Sequence, residues 1–271
     1  MEEKVLMEEM SWVEIKDAIK KGKTTVLVIS GSMEQHGPHL PTGTDTYLGY
    51  EIGQRAARRL GNALVAPVIR PALSEHHMGF PGSFTLTWET YMDVLDDYCD
   101  SLARYGFKDI VLMSSHGGNN AVLKAVTPDI AKKLYGRVNV HLVLHHEKSM
   151  PKAVAFLKEK GVSAEKAGVH SGYGETSEML VSKPHLVKME FAAEGQVDEA
   201  LYRPENIPRF QIDSFIHGVQ HFAKNGILGD PRGANGEIGK ELIELDVKAM
   251  CEEINRAVWK SQRSKKSKRR K

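Results

Sequence analysis

Thr24-Thr-Val-Leu-Val-Ile29 runs, with only Ser30 between, into Gly31-Ser-Met-Glu34-Gln-His36-Gly-Pro-His39-Leu-Pro-Thr-Gly43-Thr-Asp45. The first stretch is a nearly continuous apolar run, the pattern of a strand covered on both faces. The second holds three glycines and two prolines in fifteen residues and is a loop. A buried strand feeding a loop rich in Glu, His and Asp sets the expectation for the chain: a sheet whose carboxyl edge carries chemistry. Working outward, three more β-rich runs follow at Ala63–Ile69, Asp109–Met113 and Val138–Leu144. Between them lie amphipathic stretches. Thr46–Leu60 carries Leu48, Ile52, Ala56 and Leu60 at i+4 steps, and Trp88–Tyr105 carries Met92, Leu95, Tyr98 and Leu102. Asn120–Tyr135 is a third helix, bent or delayed by Pro128, and Gly236–Lys260 is a long closing helix. Alternating strands and helices predict βαβ units around a mainly parallel sheet, in one large α/β domain or two small ones.

Composition bounds the remaining choices. Of 271 residues, 41% are hydrophobic and 27% charged, as in a globular chain able to bury a core. No apolar run approaches the roughly 18 residues needed to span a bilayer, and Met1–Met10, with four glutamates, is unlike a secretory signal. Cys99 and Cys251 form no CxxC pair, which points to a reducing, cytoplasmic setting. The net charge of +2 hides a basic tail: residues 261–271 hold seven of the 37 Lys and Arg, and without them 30 bases face 35 acids. The body is mildly acidic and no nucleic-acid partner is expected, while the tail reads as a disordered terminus.

Right-handed crossovers bring the loops after each strand to one edge. Those loops hold the reactive residues. Glu34 and His36 are two apart and share a side of an extended segment. Asp45, at the expected start of the next helix, either caps that helix or turns towards a cation. After the third strand comes Ser114-Ser-His116-Gly-Gly-Asn-Asn120, where two glycines let backbone approach a bound atom. Gly168-Val-His170-Ser-Gly-Tyr173-Gly-Glu175-Thr-Ser-Glu178 sets a histidine and an acid among glycines. Ser74-Glu-His76-His77 follows the second strand and lines either the pocket or a subunit contact. Carboxylates and imidazoles are ligands for borderline divalent metals. Two such ions sharing a hydroxide lower the pKa of water from ~15.7 towards neutrality, with Asp45 as the natural bridge and a histidine to move the proton. The competing class, a protein cradling phosphate or a nucleotide in its glycine loops, has no use for Glu34 or Asp45, because acids repel phosphate.

The string Gly31 to Pro41, with Asp45, the His116-Gly-Gly-Asn loop and His170…Glu175-Thr-Ser, resembles the creatininase (creatinine amidohydrolase) family, as do His77-Met-Gly-Phe-Pro-Gly82 and Gly226-Ile-Leu-Gly-Asp-Pro231. The resemblance spans roughly 10–260. It implies a single α/β domain over 1–260, a three-layer sandwich with a mainly parallel sheet between helices, together with two divalent ions (Zn, Mn or Fe), a small-molecule substrate and a homo-oligomer, commonly a hexamer. By position, Glu34, Asp45 and His116 would hold one ion, and His36 with the other oxygen of Asp45 the second. His170 would match the catalytic histidine. Creatininase proper has His-Tyr-Glu where this chain has His116-Gly117-Gly118, so Glu175 is expected to complete the second site and to share in catalysis. Creatininase also places tryptophans before its catalytic histidine, whereas Trp12, Trp88 and Trp259 lie outside 117–170. Both differences turn the expectation away from creatinine, towards a binuclear hydrolase of an amide or cyclic amide C–N bond. A ring-opening C–C hydrolase of a keto-inositol and a formamide deformylase are the alternatives the resemblance leaves open. His39, His76, Tyr173 and the His145–His146 pair are candidate contacts to a polar substrate.

Overall fold

The structure is a computed structural model that describes the backbone of residues 3–203 and 205–268 and side chains through residue 258. β1 (Thr25–Ser30), β2 (Ala63–Val65), β3 (Asp109–Ser114) and β4 (Asn139–Leu142) form one parallel sheet in the order β2-β1-β3-β4. The helices are α1 (Trp12–Lys20), α2 (Thr44–Leu60), α3 (Trp88–Ala103), α4 (Asn120–Lys133), α5 (His146–Glu159), α6 (Ala164–Ala167), α7 (Tyr173–Ser182), α8 (Ile207–His217), α9 (Val219–Phe222) and α10 (Gly236–Lys268).

Alternation along the strands builds the layers. Val26, Val28, Ile110 and Leu112 pack on one side with Tyr91, Leu95 and Cys99 of α3 and Leu123 and Ile130 of α4. Leu27, Ile29, Val111 and Met113 pack on the other with Ile52 and Ala56 of α2 and Ile243, Val247 and Met250 of α10. The three-layer α/β architecture expected from the sequence is the one observed. Every residue of β1 and β3 is buried, and each large aliphatic side chain taken from water contributes about 1.5–3 kcal/mol. β1 and β3 are in register to their last residues, Ser30 opposite Ser114, so the loops that follow leave the sheet side by side.

Local boundaries differ from expectation for physical reasons. β2 stops at Val65 rather than reaching Ile69, since Pro67 has no N–H for the ladder. The chain returns at Ile69, which pairs with Ser30 and donates its N–H to the Ile29 carbonyl at 3.0 Å. Pro128 sits within α4 without delaying its start. α2 begins at Thr44 and approaches β1 through Gly53, where a Cβ would lie 2.5 Å from Ile29 Cδ1. α10 continues to Lys268, past the expected end at Lys260. Of the tail 261–271, expected to be disordered, residues 261–268 continue this helix and 269–271 lie outside the described residues. Among the described residues no helix is long and apolar enough to cross a membrane, and both cysteines are free and buried.

Candidate metal centre

At the carboxyl edge, the loop after β1, the start of α2, the loop after β3 and the segment entering α7 meet. Among the described residues four sets of donor atoms lie there, each within 4.8 Å of one another: Glu34, Asp45 and His116; His36, Asp45 and Glu175; Glu34, His36 and His170; and Glu34, His76 and His77. The first two are joined through one carboxylate. Asp45 belongs to both. Its Oδ2 is 3.3 Å from His116 Nδ1 and its Oδ1 is 3.6 Å from His36 Nε2. The capping role weighed for Asp45 is absent: α2 has Gly43 at its N-cap and no side-chain cap bond, and the Asp45 carboxylate turns inward to accept from Ser32 Oγ. Ser171 and Thr176 do not cap α7 either, whose N-cap is Gly172. Glu34 Oε1 lies 3.3 Å from His116 Nδ1, and Glu175 Oε1 lies 3.5 Å from His36 Nε2.

The histidines are oriented from behind. His36 Nδ1 donates to the Glu34 carbonyl at 3.1 Å, His116 Nε2 to the Leu73 carbonyl at 2.8 Å, and His170 Nε2 to the Gln35 carbonyl at 2.8 Å. Each bond places the remaining lone pair on the nitrogen that faces the carboxylates, the tautomer a metal ligand or a base requires. Glu175 is fixed as well. Its Oε2 accepts the Ser171 N–H at 2.5 Å, which Ser171 presents from a left-handed backbone (φ 50°) immediately after His170.

Three carboxylates this deep require positive charge nearby. Burial, reinforced by Asp45, pushes Glu34 up to about 7 despite His116 and His36. Burial opposes ionisation of Asp45 too, but His36 and His116 prevail and hold it well below the usual carboxylate range. The same imidazoles resist burial: Glu34 and Asp45 push His116 up to about 9, and Glu175 and Asp45 push His36 well above its ordinary value. Protons on these rings supply charge that cations would supply equally. Both oxygens of Glu34 and Nε2 of His36 are buried without a hydrogen-bond partner, an arrangement costly for bare polar atoms and suited to ion coordination. The donor set of imidazoles and carboxylates therefore fits divalent metal.

His170, by contrast, is pushed down to about 3 by burial and His36, which leaves its ring neutral. It stacks at 4.2 Å on His36 with Nδ1 3.7 Å from Glu34 Oε1. Gly118 occupies the place where the resemblance expected an acid to be missing. A Cβ there would sit 2.4 Å from His116 Nε2 and 2.9 Å from the Leu73 carbonyl, so the His116 hydrogen bond and a side chain at 118 exclude each other.

The remaining expected contacts are placed as follows. His76 is buried between His77 and Phe215, with ring centroids 4.2 Å from each. His39 is buried and its Nε2 is 2.9 Å from Thr176 Oγ1, beneath the cluster. Tyr173 packs with Leu157 and Leu242, and its hydroxyl accepts from Asn235. Trp12 and Trp88 are exposed on the surface. Three further residues, given no individual role by the sequence, reach the site. His77 Nε2 is 3.3 Å from Glu34 Oε1. Gln35 Nε2 donates to His77 Nδ1 at 2.9 Å and to the Gly226 carbonyl at 3.0 Å. Asn119 joins the loops after β1, β2 and β3. The adjacency of His77 to the expected His76, and of Gln35 to both expected ligands, was the available signal.

The sequence profile of the Creatininase family, described as creatinine amidohydrolase, matches residues 8–254. The chain belongs to the Creatininase family. It is a metal-dependent hydrolase by that membership. It is 29% identical to a mycofactocin precursor peptide peptidase of Mycolicibacterium smegmatis, over 88% of this chain and 87% of that one. To a 3-dehydro-scyllo-inosose hydrolase of Thermotoga maritima it is 26% identical, over 89% and 79%. The fold matches that of creatininase in its Mn form with a TM-score of 0.73 at 22% identity, covering 94% of this chain and 98% of the other.

Proposed function

We propose that the chain is a binuclear metal hydrolase acting on an sp2 carbon of a small polar substrate, most simply an amide or cyclic amide C–N bond. The observation that carries the proposal is the pair of donor triads joined through Asp45, buried, with distal ring nitrogens tied to backbone carbonyls. Glu34, Asp45 and His116 would hold one divalent ion; His36, Asp45 and Glu175 the second. Zn, Mn and Fe all suit such donors. Bound there, the ions supply Lewis acidity and acidify water to near-neutral pKa.

The chain's own residues do the rest. His170, neutral and pinned through Nε2, takes a proton at Nδ1 and returns it to the leaving atom. Glu175 is positioned by the Ser171 N–H, so that one oxygen faces the cluster while the other is engaged. His77, held by Gln35, turns Nε2 towards Glu34. Gathered acids at Glu34, Asp45 and Glu175 disfavour the phosphate-cradle reading. A second reading, hydrolytic opening of a cyclic ketone's C–C bond, is supported by the similarity to the inosose hydrolase. It uses the same groups with a ring carbon as leaving atom.

Glu34→Ala and Asp45→Ala are expected to abolish turnover and to lower metal content by up to two ions per chain, with far-UV circular dichroism unchanged. His170→Ala should lower kcat by about 10²–10⁴ while retaining most of the metal, measured by elemental analysis beside kinetics on formamides, cyclic amides, short peptides and keto-cyclitols. Loss of metal ahead of turnover in His170→Ala would make that residue a ligand instead.

A further inference from the structure

A separate group of ligating side chains lies past the end of β4. His145, His146 at the start of α5, and Asp246 of α10 bring one donor atom each within 4.8 Å of the others, and they share no residue with the groups around Glu34 and Asp45. His145 is only 2% exposed, yet neither of its ring nitrogens has a hydrogen-bond partner. Its ring lies 4.0 Å from that of His146, whose Nδ1 is 3.6 Å from Asp246 Oδ1. An imidazole buried with both nitrogens bare is costly unless something accepts its lone pair or its proton. The polar atoms on hand are a second imidazole, which offers the same lone pair, and a carboxylate.

We infer that His145, His146 and Asp246 form a third divalent-cation site, selective for a borderline ion of the zinc type. Two nitrogen donors and one oxygen donor are the mixture such an ion favours, and imidazoles are poor partners for magnesium or calcium. The field is favourable: the charges of Asp246, Asp45 and Glu175 all act on His146. The fourth position is open to water. An ion here would clasp the first turn of α5 to α10, two helices that pack together. Its role is structural, and it does not depend on the binuclear reading.

The test is metal stoichiometry. Protein stripped with a chelator, reloaded with Zn²⁺ and freed of excess ion by gel filtration is assayed for zinc per chain. Wild type is expected to retain one ion more than His145→Ala or Asp246→Ala. In an Asp45→Ala background, added Zn²⁺ should still raise the melting temperature, and adding His145→Gln should remove that rise. Equal zinc in wild type and both single variants overturns the inference, as does a zinc-dependent rise that survives His145→Gln. Failure of the binuclear reading would look different: Asp45→Ala would then hold as much zinc as wild type while His145→Ala still lost one ion.

Discussion

Asn119 is fully buried, and its amide works on three loops at once. Nδ2 donates to the Gly31 carbonyl at 2.9 Å and to Ser114 Oγ at 3.1 Å, while Oδ1 accepts the Leu73 N–H at 3.1 Å. No carboxylate of the metal centre touches it, yet it holds together the strands of backbone from which Glu34 and His116 project. Truncation would orphan several buried groups, each costing about 1–3 kcal/mol. Asn119→Ala is therefore expected to destabilise by about 3 kcal/mol in urea unfolding and to weaken metal retention, whereas a loss under 1 kcal/mol would mean water replaces the amide. At this scale the candidate site residues were legible: Glu34, His36 and His116 stand in glycine-shaped loops after strands, and Asp45, His170 and Glu175 stand beside the glycines that precede or open α2 and α7. The residues that orient them were not. Gln35 reaches His77 42 positions away, and such a bond leaves no periodicity to read.

At the scale of elements, α1 shows a boundary written entirely in local sequence. Ser11 caps the helix through its side chain at 3.3 Å from the Glu14 N–H, and Glu14 returns a 2.7 Å bond from the Ser11 N–H. Ser11→Ala should cost about 1 kcal/mol in chemical unfolding. The backbone bond to Ser11, with help from Lys4, pulls Glu14 down to about 2 from its ordinary 4.5. A carboxyl whose folded pKa is depressed stabilises fully above the unfolded value. The contribution of Glu14 is thus complete above about pH 4.5 and fades as pH falls towards about 2, which an NMR titration of its side chain would follow. Glu14→Gln should flatten that dependence. Other elements obey distant partners. β2 ends at Val65, ahead of Pro67, but the chain rejoins β1 at Ile69, and α5 carries Pro151 inside it. Sequence reading saw neither, because packing on α10 and pairing with Ser30 override local preference.

Across the whole molecule, one surface stands out beside the metal centre. Ile212, Phe215 and Ile216 share a face of α8 and are exposed, as is Met78, and Phe215 stacks on the buried His76. Exposed Phe84 and Trp88 add apolar area elsewhere on the chain. Large apolar patches of this kind mark association sites. The chain is expected to sediment as a homo-oligomer at micromolar concentration, and Phe215→Glu with Ile216→Glu should shift it towards monomer. A wild-type monomer under those conditions would end that expectation.

By itself the sequence determined the layered α/β plan, since buried strands and striped helices impose periods that survive in one dimension. It also pointed to Glu34, His36, Asp45 and His116 as neighbours, because crossover handedness sends the loops after β1 and β3 to one edge. Tertiary structure alone decided their orientation: which ring nitrogen faces inward, that Asp45 is shared rather than spent on a cap, and that His145 meets Asp246 across 101 positions of chain. Those outcomes depend on hydrogen bonds and close approaches between segments remote in sequence, where an ångström decides between contact and none.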